Sequence, residues 1–159
     1  MQGITTFFWF NTEADDAARH YVKLFEGSNR AANTKYGSPM TGPDGAIIAV
    51  DMVLDGTNFV ALNGGPTYAF TPATSFAITC ETQDEIDYFW DAFLDGGDAM
   101  QCGWVTDKFG ITWQVVPAIL PQLLGDSDRA KAGRAMEAMM KMVKFDIAAL
   151  KVAFNEAQA

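Results

Sequence analysis

A pattern that returns after 70 positions constrains this chain more than any other feature of its sequence. Thr12 and Thr82 each stand where a helix begins, and Gly27 and Gly97 each stand where one ends. Ahead of Thr12, the segment Ile4 to Phe10 is dense in β-branched and aromatic residues and reads as a strand. Asn11-Thr12-Glu13-Ala14-Asp15 then supplies a cap and first-turn acids. Ala14, Ala17, Ala18, Tyr21, Val22 and Phe25 recur at helical spacing up to Gly27, which is placed for a left-handed cap. From Ser75 the order repeats: Ser75 to Cys80 as strand, Thr82-Gln83-Asp84-Glu85 as a capping box, and Ile86, Phe89, Trp90 and Phe93 as an apolar stripe ahead of Gly96-Gly97. The halves read as repeats of one unit.

Each half continues into strands. In the first, a looser segment from Ser28 to Tyr36 leads into turn residues Gly37, Pro39, Gly42, Pro43, Asp44 and Gly45. Ala46 to Leu54 and Thr57 to Asn63 then form a hairpin about Asp55-Gly56, and Gly64-Gly65-Pro66 closes the half. In the second, Met100 to Val105 and Ile111 to Val116 pair about the turn Thr106 to Gly110. Each half is thus βαβββ, with the third strand the least marked. Beyond Pro117 the pattern becomes helical: Pro121-Gln122-Leu123-Leu124, then a helix capped by Asp126-Ser127-Asp128. Ala132, Met136, Met139 and Val143 predict its apolar stripe, and Ile147, Leu150 and Phe154 continue after a break near Asp146. The fold class is therefore α+β: paired modules over residues 1–120 (about 1–66 and 73–117), with residues 121–159 a helical extension of the same domain. The methionines are expected to pack against the domain or a second copy, since Met fills irregular apolar surfaces well.

Composition narrows the function classes. A compact body of 159 residues hides roughly 70% of the surface that its unfolded chain exposes. With 49% apolar and 13% aromatic residues, there is material for a core and an aromatic-lined pocket. Lys and Arg number 11 against 20 Asp and Glu, and the resulting charge of −9 repels phosphate backbones and anionic membranes. No apolar run approaches the ~20 residues of a spanning helix, and Met1-Gln2-Gly3-Ile4 has no basic region before an apolar run. Neither nucleic acid nor membrane is expected as partner, and the expected location is cytoplasmic. Cys80 and Cys102, the only cysteines, are too few for a disulfide framework and are not spaced as a zinc pair.

Period-two alternation puts Thr6, Phe8 and Phe10 on one strand face, Phe59, Ala61 and Asn63 on another, Ser75, Ala77 and Thr79 on a third, and Thr112, Gln114 and Val116 on a fourth. Read as inner faces, they offer aromatic walls with neutral hydrogen-bonding groups, which is how small-molecule pockets are built. Thr6, Phe8, Phe10, Phe59, Asn63, Ser75, Thr79 and Gln114 are the expected ligand contacts. A filled core is the competing reading, in which each polar member needs a partner. His20 is the single histidine, so multi-histidine metal sites and relays are excluded, and helical phase sets it near the polar face with Glu13 and Asp16. Cys102 is a candidate nucleophile because Lys108 shares its hairpin and a nearby cation favours thiolate; burial as a small hydrophobe is the alternative. Cys80 alternates with core positions. Asp107 is either a catalytic acid or the former of the turn that Gly110 completes.

Five segments together resemble one family. They are Ile4-Thr5-Thr6-Phe7-Phe8-Trp9-Phe10, Ala61-Leu62-Asn63-Gly64-Gly65-Pro66, Gln101-Cys102-Gly103-Trp104, Asp107-Lys108-Phe109-Gly110-Ile111-Thr112-Trp113-Gln114-Val115-Val116-Pro117 and Asp146-Ile147-Ala148-Ala149-Leu150. The chain is similar to the PhnB-like branch of the vicinal oxygen chelate, or glyoxalase/bleomycin resistance, superfamily. The resemblance implies two βαβββ modules forming a cupped mixed sheet, and homodimers. In metal-using relatives, four strand residues hold a divalent ion; carried over by register, those positions fall at Thr6, Ala61, Ser75 and Gln114. None is a histidine or carboxylate, so no metal is expected. The branch is often labelled as 3-demethylubiquinone-9 3-methyltransferase-like, yet the chain has neither G-x-G-x-x-G nor a P-loop, and no cofactor is expected. The leading expectation is metal-independent binding of a small molecule in a cleft. The alternatives are an enzyme of the same superfamily, metal-dependent or using Cys102, and a dimeric interaction module with no ligand.

Overall fold

The computed structural model describes residues 3–156, and their contacts divide the chain into two compact units, residues 1–70 and 71–159. In the first, β1 (Thr6–Phe10) leads into α1 (Ala14–Glu26), then β2 (Lys35–Tyr36), β3 (Met40–Thr41), β4 (Ile47–Leu54) and β5 (Thr57–Asn63). The sheet runs β1-β5-β4-β2, with β1 parallel to β5 and β4 antiparallel to it. β2 and β3 both pair with β4 and are two pieces of one interrupted edge strand, so the βαβββ order holds. Gly37 lies in the interruption, where a Cβ would stand only 2.6 Å from the Asp51 carbonyl oxygen that its N–H binds. The β4–β5 hairpin turns at Asp55 and Gly56 with φ of 49° and 80°, the left-handed pair that a two-residue turn demands.

Helix α1 covers one face of this sheet, and small residues let it lie close. Ala14, Ala17, Ala18 and Tyr21 are fully buried, against Val50, Met52 and Ala61 from the sheet. Each large side chain sealed there contributes about 1.5–3 kcal/mol. The expected cap at Thr12 is replaced. Glu13 occupies the N-cap position without a side-chain cap, and the Ala14 N–H is instead bound by Asn63 Oδ1 at 2.9 Å. Gly27 ends the helix at φ −76°, not in the left-handed region: its N–H reaches the Lys23 carbonyl and the Ser28 N–H the Phe25 carbonyl without that turn.

The second unit is β6 (Phe76–Cys80), α2 (Gln83–Leu94), β7 (Asp98–Ala99), β8 (Trp104–Thr106) and β9 (Thr112–Pro117), in sheet order β6-β9-β8-β7 with β6 parallel to β9. Thr82 and Glu85 form the expected capping box. Gly96, at φ +79°, makes the left-handed turn after α2, while Gly97 is wedged against the Thr106 and Phe93 carbonyls. Three helices follow: α3 (Leu120–Leu124), α4 (Arg129–Lys141) and α5 (Ile147–Asn155). Asp128 caps α4 through the Ala130 and Lys131 amides, and Asp146 caps α5 through Ala149. The buried stripe of α4 matches the expected one at Ala132 and, half-buried, at Met139, and departs from it elsewhere. Ala132 and Ala135 are buried, whereas Met136, Met140 and Val143 are exposed by 43%, 59% and 40%. No helix among the described residues is long and apolar enough to cross a membrane.

Candidate open-face site

Each sheet has one face under its helix and one face without it, and strand register says which side chains share the uncovered one. In the first unit Phe8 packs edge-on to Tyr21 of α1 and tilted against Phe59, so Phe8, Phe10 and Phe59 belong to the covered face. Alternation sends Phe7 and Trp9 the other way. Pairing then sets Val60 and Asp51 beside Phe7, and Leu62 and Ala49 beside Trp9. Phe7 is 62% exposed, an unusual placement for a phenylalanine in mid-strand. Trp9 is fixed: its Nε1 donates to the Gly65 carbonyl at 2.9 Å, and Tyr68 meets its ring edge-on at 5.2 Å. A Cβ at position 64 would collide with the indole, and Gly65 takes φ +85°. The Ala61-to-Pro66 motif is therefore the seat of Trp9.

In the second unit Trp113 stacks on Phe93 of α2 at 4.6 Å and lies near Phe76, which assigns Phe76, Ile78, Cys80, Val105 and Val115 to the covered face. The opposite face carries Ala77, Thr79, Trp104, Thr106, Gln114 and Val116. Gln114 Nε2 donates to Ser75 Oγ at 2.7 Å, and the Thr106 and Thr112 hydroxyls lie 3.4 Å apart. Ala77 and Thr79 are exposed.

The expected ligand contacts are thus distributed over faces of opposite kind. Ser75, Thr79 and Gln114 are together on the uncovered face of the second sheet. Thr6, Phe8, Phe10, Phe59 and Asn63 share a face as expected, but it is the face under α1. There Phe8, Phe10 and Phe59 are exposed by only 2%, 3% and 6%, and Asn63 caps the helix while its Nδ2 donates to the Ile47 carbonyl. Phe7 and Trp9, absent from the expected contacts, are the β1 residues on the uncovered face. The 70-residue offset carries that signal: it aligns Thr6, Phe8 and Phe10 with Phe76, Ile78 and Cys80, and Phe7 and Trp9 with Ala77 and Thr79.

The chemical candidates resolve differently. Asp107 is 4% exposed; its Oδ1 accepts from the Phe109 and Ile111 amides and its Oδ2 from Trp113 Nε1 at 2.7 Å. It builds the turn and ties it to the core. Cys102 has φ +59°, with its Sγ near the Met139 carbonyl and 3.9 Å from Met140 Sδ. Lys108 does not attend it. Its ammonium lies over the Phe109 ring, in the turn at the other end of β8. His20 is half-buried with its ring edge toward Tyr21.

With this geometry in hand the likeness to known proteins becomes specific. The sequence pattern of the family described as 3-demethylubiquinone-9 3-methyltransferase matches residues 2–116, which run from before β1 to the penultimate residue of β9. The chain belongs to that family. A PhnB protein from Bacillus cereus shares 28% identity with a TM-score of 0.65, covering 74% of this chain and 100% of its own. A Pseudomonas aeruginosa protein shares 18% with a TM-score of 0.57, covering 74% of this chain and 98% of its own, and shows the fold alone. No curated protein matches. The chain is PhnB-like, and α3 to α5 lie outside the family match.

The groups that the superfamily and the family description imply do not fit these residues. For a divalent ion, Thr6 and Ala61 sit on the covered face, and Ser75 and Gln114, bonded to each other, carry only neutral oxygens. Among the described residues no three His, Cys, Asp or Glu side chains converge. For a methyl-donor nucleotide, the strand-to-helix turns Asn11 to Glu13 and Glu81-Thr82 contain no glycine, and side chains of Asn63, Thr82 and Glu85 already bind the amides there. Neither turn offers the free backbone cradle that the carboxylate of such a donor uses.

Proposed function

We propose that this family member binds a small apolar or amphipathic molecule on the uncovered face of its first sheet, without a metal. The observation that carries the reading is Phe7, a largely exposed aromatic on a sheet face, next to an indole held rigid by Gly64, Gly65 and Tyr68. A fixed aromatic platform binds a planar or apolar surface at little entropic cost. The uncovered face of the second sheet has a chemistry of its own, carrying the Gln114 amide, the Thr79 and Thr106 hydroxyls and the Trp104 ring.

Comparing the native and denatured masses of freshly isolated protein tests this, and counts subunits in the same spectrum. We expect a bound small molecule and a homodimer, with the exposed Met136, Met140 and Val143 face available to the second copy. Tryptophan emission gives the affinity, because Trp9 and Trp104 face outward while Trp113 is in the core. Phe7→Ala should weaken binding about tenfold, as loss of a central aromatic anchor does. An apo protein that answers no member of a compound library, or binding that Phe7→Ala leaves intact, would remove the proposal.

A further inference from the structure

The uncovered face of the first sheet carries a charge that folding does not ask for. Register sets Trp9, Leu62, Ala49 and Met40 in one row across the strands, and Phe7, Val60 and Asp51 in the next. Asp51 is the one ionisable side chain in these two rows, and it is exposed. It stands on β4, an interior strand with β5 on one side and the β2–β3 edge on the other, where aspartate is a poor strand former. Its backbone carbonyl takes the Gly37 N–H, but among the described residues its carboxylate takes no hydrogen bond and no ion pair. Gly37 has no side chain with which to screen it. Lys35, on the same face, belongs to a further row opposite Val53 and forms no ion pair with it.

The repeat supplies a control. In the second unit the matching row is Ala77, Gln114 and Trp104, with no charge in it. Both rows cross a parallel and then an antiparallel pair of strands, so the sheet can be built without a carboxylate at this place. A residue that strand formation disfavours, and that packing does not use, is where function departs from folding.

The position of Asp51 relative to the aromatic platform sets the kind of molecule that engages both. Phe7 and Asp51 are two strands apart, roughly 10 Å, with Val60 between them. Ring and charge therefore address opposite ends of a bound molecule. We propose, resting on the reading of Phe7 as a platform, that the ligand of this face is an elongated organic cation: an apolar body over Phe7 and Trp9, and an ammonium head at Asp51. An anion would meet the carboxylate with like charge, on a chain of net charge −9. A bare divalent ion asks for more oxygen donors than one carboxylate supplies.

Phenylbutylammonium is the probe, with phenylbutanol and phenylbutanoate as its neutral and anionic counterparts. The methyl resonances of Val60 and Leu62 read the face. Saturable shifts there are expected with the ammonium, about three- to fivefold weaker affinity for the alcohol, and weaker still for the carboxylate, with the preference fading as salt is raised. Asp51→Asn keeps the size of an exposed side chain and removes its charge. It should bring the ammonium down to the affinity of the alcohol while leaving the alcohol unchanged. Equal affinity of the wild type for ammonium and alcohol, or a preference that survives Asp51→Asn, would overturn the proposal and leave the Phe7 platform standing. Phe7→Ala separates the two readings, since it should weaken ammonium and alcohol alike. Silence at Val60 and Leu62 towards all three compounds would remove the platform and the cation with it.

Discussion

Where the first unit turns Phe7 and Trp9 outward, the second turns Ala77 and Thr79, although the two strands align residue for residue on their inner sides. Phe8 answers to Ile78 and Phe10 to Cys80, apolar for apolar, because each must fill space beneath a helix. The uncovered side obeys no such demand, and there one unit has become aromatic while the other carries hydroxyls and an amide. Packing holds the repeat together on one face, and chemistry has separated the copies on the other. The helices differ in the same spirit. α2 caps itself within four residues, whereas α1 borrows Asn63 from a strand 49 positions away.

The comparison can be broken most directly on β1. Phe8→Ala should cost about 3–5 kcal/mol in denaturant unfolding, and Phe7→Ala no more than about 0.5 kcal/mol, since only the first leaves a cavity. Equal losses would mean that the two sides of the strand are not distinct. The helix starts come next. Asn63→Ala should cost about 1–2 kcal/mol and Thr82→Ala about 1 kcal/mol, because Asn63 also leaves the Ile47 carbonyl without its donor. Similar values would reduce Asn63 to an ordinary cap.

The smallest effects lie in acid. The Tyr36 hydroxyl, with Arg19 behind it, holds the Asp15 carboxyl below the usual range; Lys144, then Gln83, does so for Asp87 in the second unit. A lowered carboxyl stabilises the fold above its unfolded pKa and loses that contribution as pH falls through the folded value. Both should therefore weaken the protein below about pH 4. Asp15→Asn and Asp87→Asn should each flatten the stability profile there, modestly for Asp87, which is largely solvated. A profile unchanged by Asp15→Asn would show that the Tyr36 contact contributes nothing to folding.

Much of the fold was legible because local chemistry and tertiary structure agree at those points. The capping box at Thr82, the left-handed turn at Asp55-Gly56 and the span of β5 all follow from residues within a few positions of one another. The site was less legible because alternation along a strand has two phases, and nothing within Thr6 to Phe10 says which will meet a helix: every position but Thr6 is aromatic. Only the second copy, with small residues at Ala77 and Thr79, sets the phase. The cap of α1 was hidden for a related reason, since its donor and acceptor meet only when β5 closes the sheet. On α4, the expected stripe was met at Ala132 and in part at half-buried Met139, whereas close packing took Ala135 in place of Met136 and Val143, which stayed outside.

The segment joining α4 to α5 bears on how much of the chain is one folding unit. Beyond the end of β7, the N–H groups of Cys102 and Gly103 bond to the Met142 and Val143 carbonyls, and a Cβ at Gly103 would collide with Phe145. Two residues from the C-terminal region thus continue the ladder along the rim of β8. Cut after residue 117, the matched family region would expose two orphaned amides beside a glycine-sized hollow. That is a ready template for a stray strand from another molecule. The helical tail is therefore the cover of that rim, and the second unit is closed only once the chain has reached Phe145.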